Sequence, residues 1–464
     1  MQLLDLPGEI LQEILLHAVH ARGVKRALRL KLVCKIFNSC IPRALFDSLL
    51  LDTFTCRYRF GKLEVRNRFQ HQGDDHGASR FWHDYLVYRV EKPGADQGSS
   101  YCTSIRELAI AYSRSTGAEL KPTIRALCWM KLIQAWDLRQ LEKQQPNRQI
   151  PVEVTRARNS SPLLRAAVYL GNVAMVQKLL PELGNPPSPH SPISNLVFVV
   201  AWGGHVEILE LFQAIEDTRD SGGPMNAIFH AIRGAALGGN MDALRFTIAR
   251  AERIIGNMHL RPRMAYASFL KGHLFQVACN DAISLEIFRY LSSAYMMDRH
   301  VCTAADQHLD YNHASSYYAF LGNQEIVRYI LDIDFSGCKP DCSRSYKPCL
   351  VNTLSMAALS NHTAIVDMVL ERHVNPNKYS KMYKGFPLAA AAAGGTMEIV
   401  RKLLDAGAMV NEMALMEAVR LEHTAMTELF LEWGSLDSDV RKNIREFAVK
   451  EGLESMAELL LLRQ

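Results

Sequence analysis

Apolar residues recur along this chain in short stripes of helical spacing, separated by turns that contain glycine. The clearest window is 385–412, GFPLAAAAAGGTMEIVRKLLDAGAMVNE. Pro387-Leu388 opens a helix, because proline in the first turn forfeits an N–H that would be unpaired anyway. The alanines that follow make a thin helix that a neighbour can approach closely. Gly394 and Gly395 supply the positive φ that ends it. Ile399, Val400, Leu403 and Leu404 then form one apolar stripe, which predicts a second helix. Gly407 stops that helix, and Ala408–Asn411 leaves in an extended form.

A helix pair of this size cannot bury its apolar faces alone and needs stacked copies. SPLLRAAVYLGNVAMVQKLL (Ser161–Leu180) repeats the proline-leucine start, the small residues, the Gly171-Asn172 turn and the second stripe. NLVFVVAWGGHVEILELF (Asn195–Phe212) places Gly204-His205 at the same point, about 33 residues later. Weaker copies centre on Gly239-Asn240, Gly322-Asn323 and Asn361-His362, and the poorest on Ile283, Glu422-His423 and Gly452. The spacing drifts, so inserted loops are expected at Gly184–Pro192, Gly256–Arg263, Met296–His313 and Phe335–Pro348. The last helix ends in Leu459–Leu462, where a terminal repeat should turn a polar face outward.

The proline-leucine start, the glycine-histidine-like turn and the period together resemble the ankyrin repeat. The resemblance covers residues 151–464; a generic solenoid of helical pairs is the rival. It implies an all-α stack that binds other proteins. It also implies that His205, His362 and His423, at the repeat turn, hydrogen-bond backbone in the neighbouring turn. Target contacts are expected at the loop tips, on Asn375, Asn377, Lys378, Met409, Asn411 and Glu412.

Residues 1–50 follow another pattern. Leu6-Pro7-Gly8-Glu9-Ile10-Leu11, with Ile14 and Leu15, starts an amphipathic helix; Leu28, Leu30, Leu32, Val33, Phe37, Leu45 and Phe46 follow. This resembles an F-box, a small three-helix module that docks on the Skp-type adaptor of cullin-RING ubiquitin ligases. The resemblance implies that Leu6, Pro7, Ile10, Ile14, Leu15, Leu32, Val33 and Phe37 make up its adaptor-facing and core positions. The segment between Leu15 and Val33 is longer than the family pattern, and Phe37 stands where tryptophan is more usual. A bundle that only caps the solenoid is the alternative.

Residues 51–150 form an irregular, mostly helical linking or capping region. Phe54, Cys56, Tyr58 and Phe60 alternate up to Gly61-Lys62, and Leu63 and Val65 after it. This fits a hairpin with a two-residue turn, or a helix continuing from Leu45. Phe81, Trp82, Tyr85, Leu86 and Arg89 have helical spacing and read as core. Thr103–Ala111 and Ile124–Leu141 read as a capping pair of helices, and Asp74–Ala78 and Lys92–Ser100 as polar loops.

Composition narrows the function. With 464 residues the chain exceeds a single core, and 48% hydrophobic with 22% charged residues is ordinary for folded protein. A net charge of +5 gives no broad basic stripe for nucleic acid; the local excess between Arg22 and Arg68 reads as a solvated or partner-facing surface. MQLLDLPGEILQEILLHAV lacks the basic start of a secretory signal, and no run reaches the ~18 apolar residues of a membrane helix. The 10 scattered cysteines suit a reducing, cytoplasmic or nuclear compartment. Cys338, Cys342 and Cys349, with His308 and His313 upstream, hint at metal, but their spacing matches no common zinc frame. No nucleophile elbow, zinc-protease histidine pair or phosphate loop occurs. The expectation is a non-enzyme without cofactor or metal: a ubiquitin-ligase substrate receptor, or a plain ankyrin-repeat scaffold. An enzyme hidden in 54–149 is the outlying reading.

Overall fold

The structure, a computed structural model of the whole chain, describes residues 5–53, 59–60, 63–64, 78–92, 100–133, 162–183, 193–217, 224–296, 311–333, 349–434 and 437–462. It divides into two compact units, Met1–Tyr58 with Val65–Ile254, and Arg59–Glu64 with Ile255–Gln464. Apart from a two-residue ladder, the described residues form helices and turns.

The second unit is a ladder of helix pairs. Its first helices, Leu260–Asp281, Tyr311–Leu321, Leu350–Leu359, Pro387–Gly394, Glu412–Arg420 and Ser438–Lys450, each pack on the next. Second helices form the other layer: Leu285–Met296, Gln324–Leu331, Thr363–Leu370 and Met397–Asp405 stack in turn, and Thr424–Trp433 packs on Glu454–Leu462. Ala389–Ala392 are fully buried, and a Cβ on Gly394 would meet the Ala358 and Leu359 carbonyl oxygens at 2.8 Å. Small residues thus set the close approach of the first layer. In the second layer Ile399, Val400, Leu403 and Leu404 are buried as one stripe.

The turn between paired helices is a Schellman motif. Gly171 N–H donates to Val168 O (3.2 Å) and Asn172 N–H to Ala167 O (2.9 Å), with Gly171 at φ 70°. The same long-span bond runs from His205 to Val200, Asn240 to Ala235, Asn323 to Tyr318, His362 to Ala357, His423 to Ala418 and Leu453 to Ala448. Asn361 and Glu422 adopt the left-handed conformation without being glycine. The copy at Ile283 departs: Ala282 ends the preceding helix with φ −71° and ψ 124°, so no left-handed turn forms there.

Two expectations change. Gly256–Arg263 is not an inserted loop, because helix begins at Leu260 and Pro262 lies in its first turn. Helix Glu454–Leu462 does have a polar outer side. Leu453, Met456, Ala457 and Leu460 are buried, while Glu454, Ser455 and Glu458 are exposed beside Leu461. The loops expected at Gly184–Pro192 and Phe335–Pro348, and 297–310 of the loop expected at Met296–His313, lie outside the described residues.

In the first unit, helix Gly8–Ala27 buries Leu11, Leu15 and Val19. It packs on helix Lys35–Ser48, which buries Phe37, Ile41, Ala44 and Leu45. Gly23, at φ 67° and ψ 169°, breaks the first helix, and a 3-10 turn at Leu28–Leu32 leads on. Helices Ala78–Glu91, Ser100–Thr116 and Leu120–Ile133 pack on one another, and the first of them on Lys35–Ser48. Residues 134–141 of the expected second capping helix lie outside the described residues. Repeat helices 162–169, Val173–Leu179, Ile193–Gly203, Val206–Asp217, Pro224–Gly238 and Met241–Gly256 follow. Gly234 and Gly238 let the fifth of these lie against Phe198 and Trp202, where a Cβ would collide with their carbonyl oxygens.

The hairpin reading of 54–65 finds a short antiparallel ladder, Arg59↔Glu64 and Phe60↔Leu63. Phe54, Cys56, Tyr58, Gly61, Lys62 and Val65 lie outside the described residues.

Candidate functional site

Polar side chains at the turns lace successive repeats together. His205 Nε2 lies 3.1 Å from Tyr169 O, and His362 Nε2 lies 3.1 Å from Phe320 O. Asn240 Nδ2 donates to Trp202 O (2.6 Å) and Asn323 Nδ2 to Ile283 O (3.2 Å). The ties also account for glycine at the preceding turn, since a Cβ on Gly171 would meet the His205 ring at 2.5 Å. His423 Nδ1 accepts from Met426 N–H (3.3 Å) and caps its own helix. At the start of the stack, Asn172 Nδ2 donates to Tyr112 Oη (3.3 Å), joining the first repeat to helix Ser100–Thr116. These residues are structural ties and leave the ends of the repeats free to vary.

The ends that project are the segments 371–386 and 406–411. Asn377 joins them: its Nδ2 donates to Gly407 O (2.8 Å) and its Oδ1 accepts from Met409 N–H (2.7 Å). Two tips separate in sequence thereby become one surface. The residues expected to bind a target divide into two groups. Asn377 is consumed by this tie, and Asn411 caps helix Glu412–Arg420 by accepting from Ala414 N–H (3.0 Å). Asn375, Lys378, Met409 and Glu412 are exposed.

The longer tip is held from beneath. Ser380, fully buried, donates from Oγ to Asn352 Oδ1 (3.0 Å) and pairs in backbone with Gly385. Asn352 donates in turn to Asn312 Oδ1 (3.2 Å), so the tip is anchored to two preceding first-layer helices. Tyr383 Oη donates to Ala389 O (3.1 Å); burial, with the nearby Glu417 charge, pushes its phenol well above the ordinary range. Tyr379, Lys381 and Lys384 project from this anchored frame and Met413 lies at its edge. Sequence reasoning does not single out any of these four. The signal that could have found them is charge: Arg372–Met397 carries four Lys or Arg side chains and no acid.

The amino-terminal module sorts its expected residues in the same way. Leu15 and Phe37 are core, at 2% and 7% exposure, so they are closed to a partner. Ile10, Ile14 and Val33 are open at 50%, 37% and 65%, and Ile36 is exposed close to Val33 in sequence. Pro7 is exposed and Leu6 half-buried; Leu32 lies in the 3-10 turn.

This module is fastened to helix Ala78–Glu91. Phe46 packs against Phe81, Tyr85 and Tyr88, with centroids 5.2–5.5 Å apart. Arg89, almost wholly buried, donates to Asp52 Oδ2 (2.8 Å), and Tyr85 Oη donates to Asp52 Oδ1 (2.7 Å). Burial and the Asp52 bond push the Tyr85 phenol well up. Lys92 and Tyr88 both donate to Asp47. Burial alone would raise the Asp47 carboxyl, but these bonds and the Lys92 and Arg43 charges hold it below its usual range.

The metal reading has a different outcome at each residue. Cys349 precedes helix Leu350–Leu359 and donates its N–H to Asn312 Oδ1 (3.2 Å), while the His313 ring stacks on Tyr317. Cys338, Cys342 and His308 lie outside the described residues. No three His, Cys, Asp or Glu among the described residues assemble a metal site, and no helix there is long and apolar enough to cross a membrane.

Residues 354–444 match the family model for ankyrin repeats, in three copies. The match includes the helix pair 387–405 on which the sequence pattern is clearest, and it leaves the amino-terminal module unassigned. No curated protein matches the chain. What binds here is therefore read from the surfaces themselves, and the chain carries ankyrin repeats at 354–444, modules whose role is protein–protein interaction.

Proposed function

We propose that this protein is a substrate receptor of a cullin-RING ubiquitin ligase, in which the amino-terminal helices dock on a Skp-type adaptor and the repeats hold a target protein. The observation that carries the reading is the open set of Ile10, Ile14 and Val33 on a module whose Leu11, Leu15, Phe37 and Ile41 are already packed. Large exposed apolar side chains grouped on one small module mark an interaction site. A receptor of this kind needs no chemistry of its own. Tethering raises the effective concentration of target lysines near the charged conjugating enzyme.

The second reading, a scaffold whose first helices only cap the repeats, draws on the Asp47 and Asp52 clusters. These fix the module to helix Ala78–Glu91, as a cap requires. The two readings part at the open apolar set. Full-length protein and the Ile10→Glu/Val33→Glu variant would be tested for capture of purified Skp-type adaptor. Both substitutions fall on exposed side chains, so folding is preserved, as circular dichroism would check. Capture by the parent and loss in the variant supports the receptor; no capture by the parent overturns it.

A further inference from the structure

We infer that the joined tips at 371–386 and 406–413 dock an acidic, extended segment of the target protein that carries an apolar anchor residue. The inference rests on the reading of the repeats as the target-holding part and specifies the chemistry of what they hold.

Lys378, Lys381 and Lys384 are exposed, and among the described residues none of the three ammonium groups has an ion-pair or hydrogen-bond partner. The acids of the patch stand at its margins, away from the three lysines in sequence: Glu371 opens the longer tip and Asp405 ends the helix before the shorter one. Glu417 accepts from Arg420 (3.1 Å), Glu371 lines the groove between the second-layer helices with Arg328 and Arg372, and Glu412 sits in the first turn of its helix. The backbone beneath the lysines is fixed by Ser380, Asn377 and Tyr383. Lys384 itself is held at φ 61°, a conformation unfavourable for a residue with a Cβ. A frame fixed before binding spares the partner the entropy of ordering it.

Apolar surface lies within the same patch. Tyr379 and Met409 are exposed at 53% and 69%, the Tyr379 ring meets Phe386 edge-on at 5.7 Å, and Met413 Cε lies 2.9 Å from where a Gly385 Cβ would stand. Thioether and phenol surface beside unpaired ammonium groups suits a chain of carboxylates interrupted by a large apolar side chain. Ammonium groups recognise such carboxylates as point charges. A polynucleotide fits less well, because it calls for a longer basic track and ring faces on which successive bases stack.

The probe is a fluorescein-labelled peptide of glutamates flanking a Phe-Leu pair, titrated into full-length protein by anisotropy. A glutamine-for-glutamate peptide and single-stranded oligouridylate serve as competitors. The expected result is salt-sensitive binding of the acidic peptide. It should weaken about tenfold or more in Lys378→Glu/Lys381→Glu/Lys384→Glu and less in Met409→Ser, but be unchanged in Lys442→Glu/Lys450→Glu. Absence of binding, equal binding by the tip variant, or preferential competition by oligouridylate overturns the inference.

Proteins captured from cells by the parent and by the tip variant separate this inference from the reading beneath it. The same captured set from both removes the tip patch and leaves the interaction role standing. An empty set from the parent removes the interaction role itself.

Discussion

The imidazole Nε2 of His362 lies 3.1 Å from the carbonyl oxygen of Phe320, one repeat earlier, and its ring covers Gly322 so closely that a Cβ there would collide with Cε1. The glycine is required twice, by its φ of 81° and by the ring above it. Gly407, at φ 85°, has open space where a Cβ would stand and is required only once. Gly407→Ala should therefore cost about 1–2 kcal/mol, the penalty of a left-handed residue with a Cβ. Gly322→Ala should cost more. Adding His362→Ala should return part of the excess, so that the double variant is less destabilised than the sum of the singles. Urea unfolding of the four proteins measures this; strict additivity would remove the ring contact as a cause.

Asn377→Ala should separate the two tips without unfolding the stack. Its Nδ2 and Oδ1 bonds to Gly407 O and Met409 N–H join one tip to the other, and both lie at the surface. Global stability should fall by about 1 kcal/mol or less. Hydrogen exchange at the Met409 amide should accelerate well beyond that at Ala408, whose N–H stays bonded to Leu403 O. Unchanged protection at Met409 would show that the tip is held by other means.

Much of the repeat fold is visible in the chain because its demands are local. Pro387-Leu388 with its alanines, and the glycine before Asn172, His205, Asn240 and Asn323, each answer to backbone geometry within one turn. What the chain conceals depends on residues far apart. The Ile283 copy is weak because its turn never enters the left-handed region, while the Asn323 amide still reaches Ile283 O. Pro262 suggests a loop, yet in a first helical turn its missing N–H costs nothing. The division of Ile10, Ile14 and Val33 from Leu15 and Phe37 is likewise illegible, since all are apolar and only packing decides which remain open.

Asp52→Ala should be among the most damaging substitutions in the amino-terminal module. Arg89 is 3% exposed, and loss of Asp52 would remove the carboxylate that its Nη2 meets at 2.8 Å and leave Tyr85 Oη without its acceptor. Removing one partner of a buried pair costs about 3–5 kcal/mol. Asp332→Ala breaks a pair of another kind, because Asp332 is largely exposed and Arg372 keeps its bond to Met368 O (2.7 Å). Its cost should be about 0–1 kcal/mol. Chemical denaturation would rank the two, and comparable losses would contradict the burial argument. The same substitution bears on the receptor reading, because Asp52→Ala should also reduce adaptor capture by loosening the module that carries Ile10 and Val33.

Acid should weaken the second unit through His313. Burial holds its imidazole below the ordinary histidine range, and its ring stacks on Tyr317 with centroids 6.3 Å apart. The native state therefore keeps this ring neutral at pH values where the unfolded chain has already bound a proton. Stability contributed by the neutral ring is fully present above the unfolded value of about 6.5 and is lost as pH falls from there toward the folded value. Across that window one such group contributes a slope of up to about 1.4 kcal/mol per pH unit. His313→Phe keeps a ring on Tyr317 and removes the proton, so its urea midpoint should fall less steeply between neutral and mildly acidic pH. Parallel curves for the parent and the variant would show that His313 titrates alike in both states, and would place the acid sensitivity elsewhere.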